Sequence, residues 1–389
     1  MNETEPSGLI DHHCHGVIRR DLDRTGFELL LTEAGSVGAL GGSVFDSQIG
    51  FAVRRWCAPL LDLEPHADAD VYLERRAELG HAEVTARFLR SAGLDALCVD
   101  TGFEPEALLS PQQLGEIAGA SSYEIVRLEQ VAEQTAPMTT AAGFADAVRE
   151  RLAERARTAV GFKSIAAYRH GLQLAGERPS DAEVRIAVGH WLTREESADK
   201  ASANGDPRSP LRLTEETLHR FLVWCAVDLG LPVQFHVGYG DADVNLDRCD
   251  PLLLTDLLRA IEPTGVPVLL LHNYPFHRQA GFLAQVFGNV FLDVGLATHN
   301  LGYGSRALIA EALELAPFGK FLYSSDAYGL PELYYLGAAL FRRGLAAFLS
   351  AGIEADEWSA ADAARVARLI GSENANRVYR LTPGPIVTA

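Results

Sequence analysis

The sequence predicts an α/β fold, a (β/α)8 TIM barrel, from three observations. About eight short apolar runs recur along the chain, amphipathic segments separate most of them, and the runs are predominantly apolar rather than strictly alternating. Such runs are typical of parallel strands, which are buried on both faces. Repeated alternation of these strands with helices indicates a closed barrel. The predicted strands cover residues 8–11, 94–100, 123–128, 160–165, 232–236, 267–272, 290–294 and 321–325.

The segments between the strands are predicted from helical spacing. Apolar residues recur at intervals of three and four over residues 82–91, 144–159, 215–229 and 251–261. Residues 333–380 are predicted to be mostly helical and are followed by a Pro-bearing tail from residue 381. We therefore interpret residues 1–389 as a single barrel domain.

Two longer stretches interrupt the regular spacing of strands and helices. Residues 17–80 follow the first strand, contain the Gly-rich segment 35–42, and are interpreted as an insertion that caps the barrel mouth. Residues 170–212 follow the fourth strand, and their turn-rich part, 201–210, is predicted to form a lid.

Composition excludes several classes of partner. The chain carries 52 acidic and 34 basic residues, a formal charge of −18 that repels nucleic acid and anionic membrane surfaces. Residues 1–8 lack the features of a secretory signal, and the longest apolar runs are expected to be too short to span a membrane. The five cysteines, at positions 14, 57, 98, 225 and 249, show no close pairing, which favours a cytoplasmic location.

The motif Asp11-His12-His13-Cys14-His15 closes the first predicted strand. Side chains alternate along a strand, so His13 and His15 are expected on one face and His12 and Cys14 on the other. Two imidazoles on one face can share a metal ion, but a catalytic zinc takes about three protein ligands. Taken alone, the pair is as compatible with hydrogen-bonded structural histidines as with metal.

Further titratable residues end other predicted strands. Lys163 ends the fourth strand, His236 the fifth, His272 the sixth, and Asp326 follows the eighth. Strand ends converge at one mouth of a parallel barrel, where active sites lie. Burying such groups is costly unless they are paired or bind metal. The repeated placement therefore predicts a shared metal site.

In this order of residues the chain resembles the amidohydrolase superfamily of metal-dependent barrel hydrolases. The resemblance covers nearly the whole chain. Segments 162–169 (FKSIAAYR), 234–241 (QFHVGYGD) and 371–379 (GSENANRVY) are similar to the amidohydrolase 2 branch, and in particular to domains fused ahead of glutamine-synthetase-like enzymes.

The resemblance implies roles for the strand-end residues. It implies metal ligands at His13, His15, His236 and Asp326, and a bridging ligand at Lys163 if that lysine is carboxylated; otherwise Lys163 is a cation. His236 as a core histidine remains the alternative. The ion is divalent, with zinc favoured over manganese or iron, and either one or two ions are bound.

The same resemblance implies a mechanism. Asp326 is expected to transfer protons for a metal-activated water, and His272 to polarise the substrate carbonyl or to bind a second ion.

Candidate substrate-binding residues follow the fourth, fifth and sixth strands. Arg169 and Arg278 could grip a carboxylate, although a surface arginine is the commoner case. Tyr239 lies in a Gly-flanked loop, where Asp241 and Asp243 are also candidates. Other histidines lack a strand-end context and are interpreted as structural or exposed; they are His66, His81, His190, His219 and His299.

The expected activity is hydrolysis of a C–N amide bond in a small carboxylate-bearing molecule, with a γ-glutamyl amide as one candidate. A non-oxidative decarboxylase, a lactone hydrolase and a catalytically inactive binding barrel are the alternatives, because one fold serves many reactions. The expected partner is a small-molecule substrate, and homo-oligomerisation is left open.

Overall fold

The computed structural model describes residues 4–6, 8–36, 42–102, 107–201 and 211–381. Seven parallel strands form one sheet in sequential order, as expected when each strand is followed by a crossover helix. The strands are β1 (Leu9–Cys14), β2 (Leu94–Asp100), β3 (Ser121–Arg127), β4 (Gly161–Ser164), β5 (Val233–Val237), β6 (Val268–His272) and β7 (Val290–Leu292).

The eighth position of the barrel is occupied by residues 321–326. Leu322 N donates to Leu292 O at 3.0 Å, which joins this segment to β7. On its other side, His12 N donates to Tyr323 O at 3.2 Å and Asp326 N donates to His13 O at 3.0 Å. These bonds close the ring between β7 and β1. The predicted barrel is confirmed, although its eighth strand is irregular because the backbone turns at Asp326 (φ 52°).

Helices connect the strands and surround the sheet. In the described residues they are α1 (Arg24–Leu29), α2 (Gln48–Ala52), α3 (Ala69–Ser91), α4 (Pro111–Ala118), α5 (Leu128–Thr135), α6 (Phe144–Arg155), α7 (Ala166–Arg169), α8 (Asp181–Ala201), α9 (Glu216–Asp228), α10 (Thr255–Ile261), α11 (His277–Val286), α12 (Gly295–Asn300), α13 (Ser305–Ala312), α14 (Pro331–Glu354), α15 (Ala360–Arg368) and α16 (Asn374–Tyr379).

The two predicted insertions are only partly described. The first contains α1, α2 and the start of α3, whereas residues 37–41 of the Gly-rich segment lie outside the described residues. The second contains α8 and leads to α9, and residues 202–210 of the predicted lid also lie outside them. The tail beyond residue 381 is likewise not described.

Apolar side chains fill both sides of the sheet. The larger cluster lies between strands and helices, and a smaller one combines alternate strand residues such as Ile10, Cys98 and Leu271 with α16. Val378 and Tyr379 of α16 belong to this smaller cluster. The last helix therefore contributes to the interior of the barrel.

Helix α14 departs from the expectation that no apolar segment is long enough to cross a membrane. By length and composition this helix of 24 residues meets that requirement. Half of its most apolar window is buried inside the protein, and it packs against α13 and α3. Its apolar character is that of a core helix.

Candidate metal centre and active site

The structure brings the six strand-end residues to one end of the barrel. Their side chains are almost fully buried, from 0% exposure of His13 to 11% of the Asp326 side chain. Asp326 Oδ1 lies 3.1 Å from His13 Nε2 and 3.1 Å from His15 Nε2, and its Oδ2 lies 3.5 Å from His272 Nδ1. One carboxylate is thus shared by three imidazoles.

The charge state of Asp326 follows from these neighbours. Burial alone would raise the pKa of this carboxyl. The opposing effects of the neighbouring His272, His13 and His15 imidazoles are larger together, and they hold the pKa well below its usual range. Asp326 is therefore an anion at neutral pH.

Gln234 fixes the orientation of His13. The Gln234 amide nitrogen donates to His12 O and to the Tyr379 hydroxyl, both at 2.8 Å, so its oxygen must face His13. That oxygen lies 2.8 Å from His13 Nδ1, which therefore carries the proton. Nε2 of a neutral His13 then presents a lone pair to Asp326. His15 is held similarly, with Nδ1 3.4 Å from the carbonyl oxygen of Asp100.

This arrangement is complementary to a cation. A lone pair on His13 Nε2 facing a carboxylate is repulsive unless a proton or a metal ion lies between them. Burial, with Lys163 adding to it, lowers the pKa of His13 to about 4, so a second proton is disfavoured at neutral pH. A divalent ion resolves the conflict, and second-shell contacts such as that of Gln234 are typical of metal-ligating histidines.

His236 and His272 complete the cluster. Their rings lie 4.7 Å apart, and in the described structure the buried atoms His236 Nε2 and His272 Nδ1 have no hydrogen-bond partner. Burial lowers the pKa of His236 to about 3 and that of His272 well below its usual value, so both are neutral. Unpaired buried nitrogens are costly, and metal ligation would satisfy them. The donor set of imidazoles and a carboxylate suits zinc, manganese or iron.

Two of these residues have a left-handed backbone. His272 has φ 69° and Asp326 φ 52°, and Asn273 has φ 59°. Non-glycine residues in this region cost about 1–2 kcal/mol each. His272 is held there by its backbone N–H, which donates to Asp293 Oδ1 at 2.8 Å. This backbone conformation directs the side chains of His272 and Asp326 toward the other residues of the cluster.

Lys163 lies beside the histidines. Its Nζ is 3.3 Å from His13 Nε2. Burial lowers the pKa of the Lys163 ammonium to about 8, and the anions Asp326 and Asp100 limit the shift. The Lys163 amine therefore loses its proton more readily than the amine of an exposed lysine. Both a carboxylated and a protonated form of Lys163 are compatible with this pKa.

The alternation expected along the first strand holds only in part. The register of β1 against β2 shifts between Asp11 and Cys14. His12 reaches the same hydrogen-bond network as His13: its Nδ1 lies 2.9 Å from the Tyr379 hydroxyl, and that hydroxyl accepts from Gln234, the partner of His13. The irregular register interrupts the simple period of two in this part of the strand.

A cavity of about 600 Å³ opens above the cluster, and its described lining includes His15, Lys163, His236, His272 and Asp326. Its walls also carry charged and aromatic groups from strand ends and from the segments that follow the strands, namely Glu33, Arg127, Tyr168, Arg169, Arg212, Asp241, His299 and Tyr328. A volume of this size suits a small molecule.

The three predicted substrate-binding residues lie in different places. Arg169 lines the cavity, 3.6 Å from Glu133. Tyr239 lines an adjoining cavity instead. Arg278 is not among the described residues that line either cavity: it lies on the outer side of α11, 54% exposed, and bonds to Glu314 at 2.9 Å. This position does not support a role for Arg278 in the cavity, because the phase of the helix directs its side chain to solvent.

Arg127 and His299 are two of the cavity residues that the sequence pattern does not single out as functional. Arg127 ends β3 and bonds to Asp100 at 2.7 Å, so its strand-end position was a usable signal. His299 was interpreted as structural or exposed, but it is buried, lines the cavity, and has its pKa lowered to about 4 by burial. It lies on α12, directly after β7, which is the corresponding signal.

Comparisons with known proteins agree with this geometry. A family model described as amidohydrolase matches residues 100–381. Protein FluG of Emericella nidulans is 30% identical over 243 residues, which are 62% of this chain and 28% of FluG, so the chain spans less than a third of that relative.

Among solved structures, a protein described as a metal-dependent hydrolase from Lactobacillus casei is 30% identical, with a TM-score of 0.81 over 97% of this chain and 96% of that one. A uronate isomerase from Bacillus halodurans is 15% identical, with a TM-score of 0.64 over 98% and 95%. At that identity the second likeness concerns the fold alone.

Proposed function

We propose that this chain, which belongs to the amidohydrolase family and is a metal-dependent hydrolase, cleaves the C–N bond of an amide in a small carboxylate-bearing substrate. A γ-glutamyl amide is our candidate within that class. The observation that carries the proposal is the convergence of His13 Nε2 and His15 Nε2 on Asp326, beside the unpaired nitrogens of His236 and His272.

His13, His15, His236 and Asp326 would hold the metal ion. When bound at such a site, a divalent cation lowers the pKa of water toward neutrality and acts as a Lewis acid on the substrate. We favour zinc. Lys163 would complete a two-ion site if carboxylated, and would otherwise face the substrate as a cation.

Asp326 is our proposed proton carrier. It is ionised at neutral pH, so it can accept a proton from the attacking water and return it to the nitrogen of the leaving amine. His272 is neutral, and we propose that it acts on the carbonyl oxygen as a hydrogen-bond donor rather than as a cation.

Arg169 is our candidate for the substrate carboxylate. It lines the cavity with only 17% of its side chain exposed, and its contact with Glu133 is long at 3.6 Å. Arg127 also lines the cavity, but it is committed to Asp100 at 2.7 Å. A guanidinium can bind a carboxylate through two parallel hydrogen bonds.

The expected location is the cytoplasm, and the expected partner is a small molecule. All five cysteines are free and buried, which supports a reducing compartment.

The test is an assay of purified protein with its metal content measured. γ-Glutamyl amides and N-acyl amino acids are screened for release of amine, and unsaturated carboxylic acids for release of carbon dioxide. Amine release that depends on metal supports the proposal. Carbon dioxide release alone would favour a decarboxylase, and a metal-free protein without turnover would favour a binding barrel.

A further inference from the structure

A second cavity adjoins the active-site cavity. We call it the side chamber; its volume is about 410 Å³. Leu31, Thr32, Ile49 and Asn300 line both cavities, so the two spaces share a rim. A substrate group that reached past these four residues would enter the side chamber.

The two cavities differ in chemistry. The active-site cavity carries arginines and carboxylates, whereas no charged side chain is among the described residues that line the side chamber. Val44, Ala297 and Leu301 give it apolar walls. A charged group is thus favoured on the metal side and an apolar group in the chamber.

Aromatic rings form one wall of the side chamber. Tyr239 and Tyr274 lie with their ring centroids 6.4 Å apart and their planes at 87°. Such edge-to-face pairs offer both a ring face and a ring edge to a third aromatic group. Burial raises the pKa of Tyr239 to about 12, so the Tyr239 hydroxyl is uncharged at neutral pH.

We infer that the amine released by the enzyme carries an apolar, preferably aromatic, group, which binds in the side chamber while the carboxylate end of the substrate stays in the active-site cavity. This inference rests on the proposed amide hydrolysis and narrows its substrate class. It also gives Tyr239 a place in substrate recognition, at the amine rather than at the carboxylate.

The kinetic test compares γ-glutamyl-methylamide with γ-glutamyl-benzylamide on the metal-loaded enzyme. We expect kcat/KM to be at least about 10-fold higher for the benzylamide, since a hydrophobic pocket discriminates by about that much or more. Val44→Phe fills the chamber and should lower the benzylamide to methylamide ratio about 10-fold. Val71→Phe, at a position 45% exposed on α3, is the matched control and should leave the ratio unchanged.

A binding test separates this inference from the proposed function. N-benzylacetamide, a neutral probe, is titrated calorimetrically into wild type, Val44→Phe, Tyr239→Leu and Val71→Phe, with melting temperatures recorded for each. Binding that weakens about 10-fold in either chamber variant but not in Val71→Phe supports the chamber, even if no amide is hydrolysed and the proposed function fails. Equal binding by all four proteins, or equal rates with both amides, would overturn the inference and leave amide hydrolysis standing.

Discussion

Two buried clusters of histidine and carboxylate lie next to adjacent residues of β4. Lys163 belongs to the candidate metal centre, whereas Ser164 Oγ donates to Glu129 Oε1 at 2.7 Å, and His219 Nδ1 lies 3.1 Å from the same oxygen. We call Glu129, Ser164 and His219 the outer triad; each is at most 1% exposed. Residue type and burial therefore do not distinguish a site from a structural network.

The two clusters differ in the hydrogen-bond donors that face the carboxylate and in whether a cavity reaches them. In the outer triad one imidazole and one hydroxyl serve Glu129 Oε1, so each of these two hydrogen bonds has a donor, although His219 Nε2 has no partner in the described structure. Burial opposes ionisation of Glu129, but these bonds and the neighbouring His219 lower its pKa. In the metal centre three imidazoles face one carboxylate, and a cavity of about 600 Å³ opens onto it. Excess lone pairs at an open cavity indicate a metal site.

The sharpest test of this contrast is Asp326→Asn. Removing the charge shared by three histidines should lower kcat by about 10²–10⁴-fold, the usual contribution of a positioned acid–base group. The fold should persist, as measured by circular dichroism and melting temperature. The exposed substitution Asp247→Asn serves as control. A rate near that of wild type for Asp326→Asn would remove Asp326 from the mechanism.

A smaller effect is expected from Gln234→Leu. This change removes the acceptor that orients His13, and second-shell losses typically reduce metal affinity about 10–100-fold. Competition with a chelator at fixed free zinc measures the affinity. Gln112→Leu, at an exposed position on α4, is the control. Unchanged affinity in Gln234→Leu would show that His13 is positioned without this bond.

The two predicted arginines should behave differently. Arg169→Ala is expected to raise KM about 10-fold for a carboxylate-bearing substrate, because a hydrogen bond to a charged group contributes about 1.5–3 kcal/mol. Arg278→Ala should change KM less than about twofold, since its ion pairs lie in exposed surface. Steady-state kinetics on the same amide measures both. Equal changes in KM for the two substitutions would show that the substrate carboxylate is not bound by Arg169 in the cavity.

The outer triad should affect stability without affecting catalysis. Glu129→Gln is expected to lower the free energy of unfolding at pH 7 by about 1–3 kcal/mol, with activity per folded molecule within about twofold of wild type. Because the pKa of Glu129 is lowered on folding, its ionic stabilisation is present at neutral pH and is lost as the pH falls through the folded value. The difference in free energy of unfolding between wild type and Glu129→Gln should therefore become smaller at acidic pH.

Urea denaturation at pH 7 and at acidic pH measures this gap, with the exposed change Glu150→Gln as control. A large loss of activity in folded, metal-loaded Glu129→Gln would instead make the outer triad part of the catalytic apparatus.

Sequence alone predicted the barrel because apolar runs are local signals. The positions of His13, Lys163, His236 and His272 at strand ends could be predicted in the same way, because each lies in or next to an apolar run. The structure brings these residues together with Asp326. Distant contacts were not predictable in this way. Gln234 resembles an ordinary strand residue, and Tyr379 is 145 residues away from it, yet the two share a hydrogen bond.

Backbone detail was also beyond the sequence pattern. The register shift in β1 and the left-handed backbone of His272 and Asp326 depend on how neighbouring strands fit together. The direction of Arg278 depends on the phase of α11, which a strand-end position does not determine.

The contact of Tyr379 with His12 and Gln234 has a consequence for the biogenesis of the protein. His13 leaves the ribosome long before Asp326 and Tyr379, so the nascent chain cannot assemble the proposed ion site part-way through its translation. Loading with metal would therefore follow synthesis of α16, and a ribosome stalled before Tyr379 would display a chain in which His12 and Gln234 lack the hydroxyl that they contact in the folded protein.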